Sequence, residues 1–129
     1  GIERIMNMPI AEAGYTGMAV GAAATGLRPV VELQFGDWVT IASDQLVNQA
    51  ANMRYMFGGS LTIPMVMRLP CGGFGSAAAQ HSHMFESWFA FVAGLTIIQS
   101  SFLNTGNVTR CRARFRTIQI IQYHWERPI

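Results

Sequence analysis

Cysteine and lysine are both scarce in this chain of 129 residues. It has 2 cysteines, Cys71 and Cys111, and no lysine at all. Two cysteines are too few for a disulfide framework, and residues 1–4 show neither a signal peptide nor a lipidation motif. We therefore expect a reducing compartment, the cytoplasm if the source is bacterial.

Charged residues are also few, at 12% of the chain against 50% hydrophobic residues. So little charge suggests that a partner covers much of the surface of one small apolar domain. The longest uncharged run extends from Ser87 to Thr109, but polar residues such as Gln99 and Asn104 interrupt it. Because a membrane span needs sustained apolarity, we predict no transmembrane segment.

Hydrophobic periodicity and the Gly and Pro breaks predict alternating helices and strands. The predicted helices cover residues 11–27, 44–56 and 85–92, and the predicted strands cover residues 30–34, 63–68 and 95–98. Alternation with short connections favours an α/β fold, in which helices flank one parallel sheet through right-handed crossovers.

Glu12 is the one acid in an otherwise uncharged, Gly- and Ala-rich stretch from Met6 to Leu27. It lies where the first helix should begin, after Pro9. A carboxylate is costly to hold in apolar surroundings unless it has a partner. Two interpretations stay open from these residues alone: an acid stabilised by the helix N-terminus, or a functional carboxylate.

Several sequence blocks resemble one enzyme family. They include Met8-Pro9-Ile10-Ala11-Glu12-Ala13-Gly14, Gly26-Leu27-Arg28-Pro29-Val30-Val31-Glu32, Met53-Arg54-Tyr55-Met56-Phe57-Gly58-Gly59 and Ala79-Gln80-His81-Ser82. In this order and spacing they resemble the beta subunit of the thiamine-dependent decarboxylase component of 2-oxo acid dehydrogenase complexes. The resemblance runs from Gly1 to about Ile98, and it implies that the chain is a fragment of such a subunit.

The resemblance implies a transketolase-like pyrimidine-binding domain, here incomplete, over residues 1–99. Such a domain holds the aminopyrimidine of thiamine diphosphate at a subunit interface. Glu12 matches the family glutamate that hydrogen-bonds a ring nitrogen and favours the reactive imino tautomer. His81 matches a histidine that lines the active site and assists acyl transfer.

The resemblance also implies partners and a reaction. An alpha subunit would complete a heterotetramer and hold magnesium and the diphosphate, and a lipoyl acyltransferase component would accept the acyl group. Oxidative decarboxylation of a small 2-oxo acid, pyruvate first, is the implied activity. Branched-chain 2-oxo acid and acetoin dehydrogenases remain alternatives, as does a truncated, non-catalytic protein that only occupies the alpha-subunit interface. In a eukaryote the mitochondrial matrix would be the expected location.

Three further features near these residues have competing interpretations. Trp38 stands where relatives have Phe or Tyr beside the pyrimidine, and Gln34 could line the same pocket, although a core tryptophan and a polar strand end explain them equally well. His81 and His83 with Cys71 match no zinc spacing, so we predict no metal. The glycines of residues 71–75 are not followed by the sequence that completes a phosphate-binding loop, so they predict a turn.

Residues 100–129 depart from the family and differ in charge from the rest. Four arginines against six acids give residues 1–101 a net charge of −2, whereas five arginines against one acid give residues 102–129 a net charge of +4. Codons compatible with residues 113–120 encode a family-like segment in another frame, which is the basis of a frameshift hypothesis. The rival is a genuine basic tail that binds nucleic acid or acidic membrane; without an aromatic platform or known motif, we predict neither partner.

Overall fold

A parallel sheet of four strands organises the part of the chain that the computed structural model describes. That part is residues 1–72, 77–100 and 118–124, with backbone alone for Ser100 and 118–124. The strands are β1 (Val30–Glu32), β2 (Val66–Cys71), β3 (Leu95–Ser100) and β4 (Ile118–His124). Their spatial order is β1-β2-β4-β3, and each neighbouring pair is parallel. The predicted α/β fold with a parallel sheet is confirmed.

Helices precede β1 and occupy the connections from β1 to β2 and from β2 to β3. They are α1 (Glu12–Ala24), α2 (Val39–Asp44), a π-helical segment (Gln45–Ala50), α3 (Ala51–Met56) and α4 (Glu86–Phe89), with 3-10 turns at Ile2–Arg4, Gly36–Trp38 and Ala79–His81. The second predicted helix therefore ends as expected but starts earlier, at Val39. The third is shorter than predicted. None of the helices in the described residues has both the length and the apolarity to cross a membrane.

Helix α1 ends in a glycine cap. Gly26 has a φ of 99°, its N–H donates to the Ala23 carbonyl, and the Leu27 N–H donates to the Ala22 carbonyl at 3.0 Å. This pair of hydrogen bonds is a Schellman motif, which requires a residue that tolerates a positive φ. Gly26, and not the following Arg28-Pro29, is therefore what stops the helix.

Strand β2 begins three residues later than predicted. Pro64 has no N–H to give a sheet ladder, and the first such bond runs from the Val66 N–H to the Pro29 carbonyl at 3.0 Å. At its other end β2 contains Pro70, an unusual residue for a central strand. It lies beyond the part of β2 that pairs with β1, which is residues 66–68.

The core lies between α1, the α2–α3 helical stretch and one face of β2. Alternate β2 residues are buried while those between them are half-buried, as expected for a strand covered mainly on one face. Burying each large apolar side chain contributes about 1.5–3 kcal/mol. The larger core side chains with at most 2% exposure are Val20, Leu33, Val39, Leu46, Met65, Met67, Leu69 and Phe89.

The division of the chain into a domain over residues 1–99 and a divergent tail over residues 100–129 stays a prediction. Residues 101–117 and 125–129, including Cys111 and the alternating arginines, lie outside the described residues. Within the tail, residues 118–124 form β4, which pairs with β2 on one side and β3 on the other. The frameshift and basic-tail hypotheses likewise remain predictions.

Candidate functional site

Glu12 lies in the first turn of α1 and is buried, with 5% of its surface exposed. The residue before the helix, Ala11, provides no side-chain cap. Among the residues described, no side chain or backbone group makes a hydrogen bond or ion pair with the Glu12 carboxylate. The partial positive charge of the helix N-terminus is favourable for an anion there. A buried carboxylate without a protein partner is suited to binding a ligand that brings its own donor.

Thr16 is one turn further along the same face of α1. Its hydroxyl oxygen is fully buried and has no hydrogen-bond partner in the described part of the chain. Residues four apart on a helix are neighbours. The pKa of the intervening Tyr15 is raised by burial and, secondarily, by the negative charge of Glu12. This face of α1 therefore presents two polar groups that the described chain does not satisfy.

Three rings form a second cluster, which we call the aromatic trio: Phe35, Trp38 and His81. The centroids of Phe35 and His81 are 4.2 Å apart, and those of Phe35 and Trp38 are 5.3 Å apart. Trp38 and His81 are 5.9 Å apart, and all three pairs meet edge to face. Such geometry is favourable because a positive ring edge meets a negative ring face.

The aromatic trio forms because β1 and β2 are adjacent parallel strands. Phe35 and Trp38 follow the carboxyl end of β1, and His81 belongs to the connection that follows β2. The carboxyl ends of parallel strands meet at one edge of a sheet, which is where α/β proteins bind ligands. Trp38 and His81 are therefore neighbours because each follows the carboxyl end of one of two adjacent parallel strands.

Asp37 connects the same two loops. Its carboxylate, 8% exposed, pairs with Nδ1 of His83 and accepts a 3.4 Å hydrogen bond from the His83 backbone N–H. The Gly72 N–H in turn donates to the His83 carbonyl at 3.4 Å. His83 thus binds Asp37 and the end of β2, which is a structural contact between two loops.

The turn that carries Asp37 is seated closely on β2. A Cβ on Gly36 would lie 2.2 Å from the Cys71 Sγ atom and 3.1 Å from the Pro70 carbonyl oxygen. Only glycine fits there without movement. Burial raises the pKa of the Cys71 thiol to about 12, and the negative charges of Glu86 and Asp37 act in the same direction. Cys71 is therefore a neutral packing residue at neutral pH.

The predicted site residues fall into two groups. Trp38 and His81 are in contact, whereas no hydrogen bond, ion pair or ring contact in the described residues joins Glu12 to either of them. Gln34 is exposed beside the start of the trio. The loop of residues 71–75 lies partly outside the described residues, so its predicted role as a turn stays a prediction.

Comparison with known proteins identifies the domain. Residues 2–104 match the family model described as the transketolase pyrimidine binding domain. The chain belongs to this family. Membership confirms the resemblance drawn from the sequence blocks around Glu12 and His81, and it implies dependence on thiamine diphosphate.

Individual relatives are beta subunits of several dehydrogenases. The chain is 46% identical over 101 residues to the 2-oxoisovalerate dehydrogenase subunit beta of Pseudomonas aeruginosa, covering 78% of the chain and 29% of the relative. It is 45% identical over 98 residues to a mitochondrial pyruvate dehydrogenase E1 component subunit beta-2 of Oryza sativa, covering 76% and 26%.

A third relative is the acetoin:2,6-dichlorophenolindophenol oxidoreductase subunit beta of Cupriavidus necator. Identity is 45% over 96 residues, covering 74% of the chain and 28% of the relative. The domain thus spans less than a third of the length of these curated relatives. Their nearly equal identities indicate a general dehydrogenase class and do not distinguish one substrate from another.

Sequence reasoning missed three residues of this site: Thr16, Phe35 and Asp37. Phe35 and Asp37 flank Gly36 directly after β1, so the rule that ligands bind at the carboxyl ends of parallel strands could have found them. Thr16 follows Glu12 by four residues, and helical spacing could have placed it on the same face. Its missing hydrogen bond has no signal in the sequence.

Proposed function

We propose that this chain is the pyrimidine-binding part of a beta subunit of a 2-oxo acid dehydrogenase, acting in oxidative decarboxylation. The observation that carries the proposal is Glu12, a buried carboxylate on a helix N-terminus without a protein partner among the described residues. Family membership over residues 2–104 supports it independently.

The donors and acceptors on α1 fit an aminopyrimidine. Glu12 would accept a hydrogen bond from a protonated ring nitrogen, and its carboxyl oxygen would share that proton with the ring. The Thr16 hydroxyl is buried and has no partner among the described residues, so it could bind a second polar atom of the ligand or an ordered water. When bound, thiamine diphosphate supplies the electron sink that decarboxylation of a 2-oxo acid requires.

The aromatic trio supplies a wall beside the site. Trp38 and Phe35 would exclude water from one side of the ligand, with exposed Gln34 at the rim. His81, held edge-on to both rings, would present an imidazole nitrogen to the acyl group during its transfer. In this proposal Glu12 and His81 are the catalytic residues, and Gln34 and Trp38 bind the cofactor together with Glu12.

An alpha subunit would provide the rest of the site. We propose that it holds the diphosphate and its magnesium and that the two chains assemble as a heterotetramer, which serves a lipoyl acyltransferase component. Exposed apolar side chains are consistent with coverage by further protein, since Ile10 is 90% exposed and Ile41 54% exposed. A cytoplasmic or mitochondrial-matrix location fits this assembly.

Pyruvate is the proposed substrate, and 2-oxoisovalerate and acetoin are the alternatives. The specific observation for the alternatives is that relatives named for those compounds are 46% and 45% identical to the chain. Parallel assays with all three compounds would rank them. A decarboxylation rate higher with 2-oxoisovalerate than with pyruvate would reassign the substrate.

The test is co-expression of the full chain with an alpha subunit of such a dehydrogenase, followed by thiamine diphosphate titration and activity assays. We expect Glu12→Gln to reduce activity by about 100-fold or more, the range of a lost acid–base group. Glu3→Gln makes the same chemical change at an exposed position and should have no effect. Equal activity of the two variants would refute the proposal.

A non-catalytic protein at the alpha-subunit interface is the second candidate function. The observation that favours it is the exposed apolar surface, including Ile10 and Ile41, which a partner subunit would cover whether or not the chain is catalytic. It predicts a stable complex with the alpha subunit that does not bind thiamine diphosphate in a calorimetric titration. Cofactor binding that depends on Glu12 would exclude it.

A further inference from the structure

Asp37 makes contacts that the proposed chemistry does not use. It is one of three buried polar or charged residues of the described chain, and its Oδ1 atom faces both the ring Nδ1 and the backbone N–H of His83. The two residues are 46 positions apart in the sequence. The contact therefore connects two separate loops at the carboxyl edge of the sheet.

The location of this contact relates it directly to the aromatic trio. Asp37 immediately precedes Trp38 in one 3-10 turn, and His83 follows the other 3-10 turn, Ala79–His81, by two residues. Each end of the Asp37–His83 contact is thus within two residues of one partner in the Trp38–His81 pair. A change in the Asp37–His83 contact should therefore alter the Trp38–His81 contact.

Both ends of the contact are fixed to the sheet. Gly36 packs against Cys71 on one side, and the Gly72 N–H bonds to the His83 carbonyl on the other. Between these points, and within the residues that the structure describes, His81 is held by its ring contacts and by the short turn that carries it. The Ser82 hydroxyl donates to the Ala78 carbonyl at 2.8 Å, which closes that turn locally without joining it to β1.

We propose that Asp37 and His83 are positioning residues that hold the His81 ring against Trp38. The carboxylate accepts the His83 N–H, and this fixes the segment 79–83 relative to the turn Gly36–Trp38. The effect on catalysis rests on the proposed function of His81. The positioning itself does not, because it concerns only contacts within this chain.

A spectroscopic test uses Trp38 as the reporter of His81. A protonated imidazole close to an indole quenches its fluorescence, so a pH titration of the full chain measures how much His81 stays beside Trp38. Trp88→Phe and Trp125→Phe in the background leave Trp38 as the single tryptophan. His81→Ala in that background defines the part of the quenching that His81 causes.

Four variants then separate positioning from general damage. Asp37→Asn keeps both histidines but weakens the contact, and His83→Ala removes the ring donor; each should lower the His81-dependent quenching at least about twofold. His83→Gln retains an N–H donor and should restore it. Asp44→Asn, at a carboxylate that accepts bonds from its own helical neighbours Gln45 and Asn48, should leave it unchanged.

Each outcome decides the proposal. If Asp37→Asn and His83→Ala both show the same His81-dependent quenching as wild type, the proposal is overturned. It is also overturned if His83→Gln loses as much of that quenching as His83→Ala does. Should Asp37→Asn fail to fold by circular dichroism, His83→Ala decides, since that side chain is 57% exposed and its loss leaves no buried cavity.

Activity of the chain paired with an alpha subunit provides the second readout. We expect Asp37→Asn to lower kcat about 10-fold while the KM for the 2-oxo acid stays within about twofold, because a displaced His81 affects a step after binding. If wild-type protein shows no thiamine-dependent activity, the proposed function fails. The fluorescence result would still decide whether Asp37 and His83 position His81.

Discussion

Replacing Gly36 by alanine should destabilise the fold through one identifiable contact. A Cβ at this position would lie 2.2 Å from the Cys71 Sγ atom and 3.1 Å from the Pro70 carbonyl oxygen. Favourable carbon–heavy-atom contacts occur at about 3.5–4.0 Å, so the turn or the strand must move by more than about 1 Å. Overpacking of this kind costs about 1–3 kcal/mol. Gly36 has no positive φ, so steric contact alone is responsible.

A double-mutant cycle isolates that contact. Cys71→Ala removes the Sγ atom and by itself should cost about 1 kcal/mol of lost burial. In the double variant the new methyl group occupies the vacated space, so the combined cost should be about 1–2 kcal/mol smaller than the sum of the single costs. Urea unfolding followed by circular dichroism measures each free energy.

The control is Gly21→Ala, at a helical glycine whose Cβ would meet nothing within 4 Å. It should stabilise α1 by about 0.5–1 kcal/mol because glycine is a poor helix former. Additive costs for Gly36→Ala and Cys71→Ala, within about 0.3 kcal/mol, would refute the close packing of this turn on β2.

Three further predictions concern stability. Gly94→Ala should lower the free energy of unfolding in urea by about 2–4 kcal/mol, since the φ of Gly94 is 92° and a Cβ would lie 2.6 Å from the Ala51 carbonyl oxygen. Gly58→Ala, at a φ of 59° with no atom within 4 Å of the new Cβ, should cost only about 1 kcal/mol. Equal costs for the two variants would contradict the contact with Ala51. Thr16→Val should leave stability within about 1 kcal/mol of wild type or raise it, because the hydroxyl it removes has no partner in the described residues; a loss above about 2 kcal/mol would reveal a hydrogen bond. The pKa of Cys71 is raised to about 12, so the folded state keeps its thiol proton at pH values where the unfolded chain loses it. The difference in free energy of unfolding between wild type and Cys71→Ala should therefore be constant below pH ~9 and fall between pH ~9 and 12. A difference that stays constant up to pH ~12 would contradict the buried thiol.

The sequence predicts the architecture well because its signals are local. Alternating apolar segments separated by Gly and Pro are enough to predict a parallel α/β sheet, and that prediction is confirmed. Element boundaries depend on single hydrogen bonds and are less accessible. The Gly26 cap ends α1 before Arg28-Pro29, and the Val66 N–H begins β2 after the predicted start.

The site could be predicted only in part. The contact of Trp38 with His81 follows from the order of two parallel strands, and the burial of Glu12 agrees with its apolar flanks. The Asp37–His83 contact could not be foreseen, because two polar residues 46 positions apart give no local signal of pairing. The role of each residue in catalysis stays a prediction.

The most direct test of the central claim is a crystal structure of the chain assembled with an alpha subunit and thiamine diphosphate. The measurement is the distance from the Glu12 carboxyl oxygens to the nearest ring nitrogen of the aminopyrimidine. We expect about 2.6–3.2 Å, the length of a hydrogen bond. A carboxylate directed away from the ring, or one paired instead with another protein side chain, would contradict the assignment of this chemistry to Glu12.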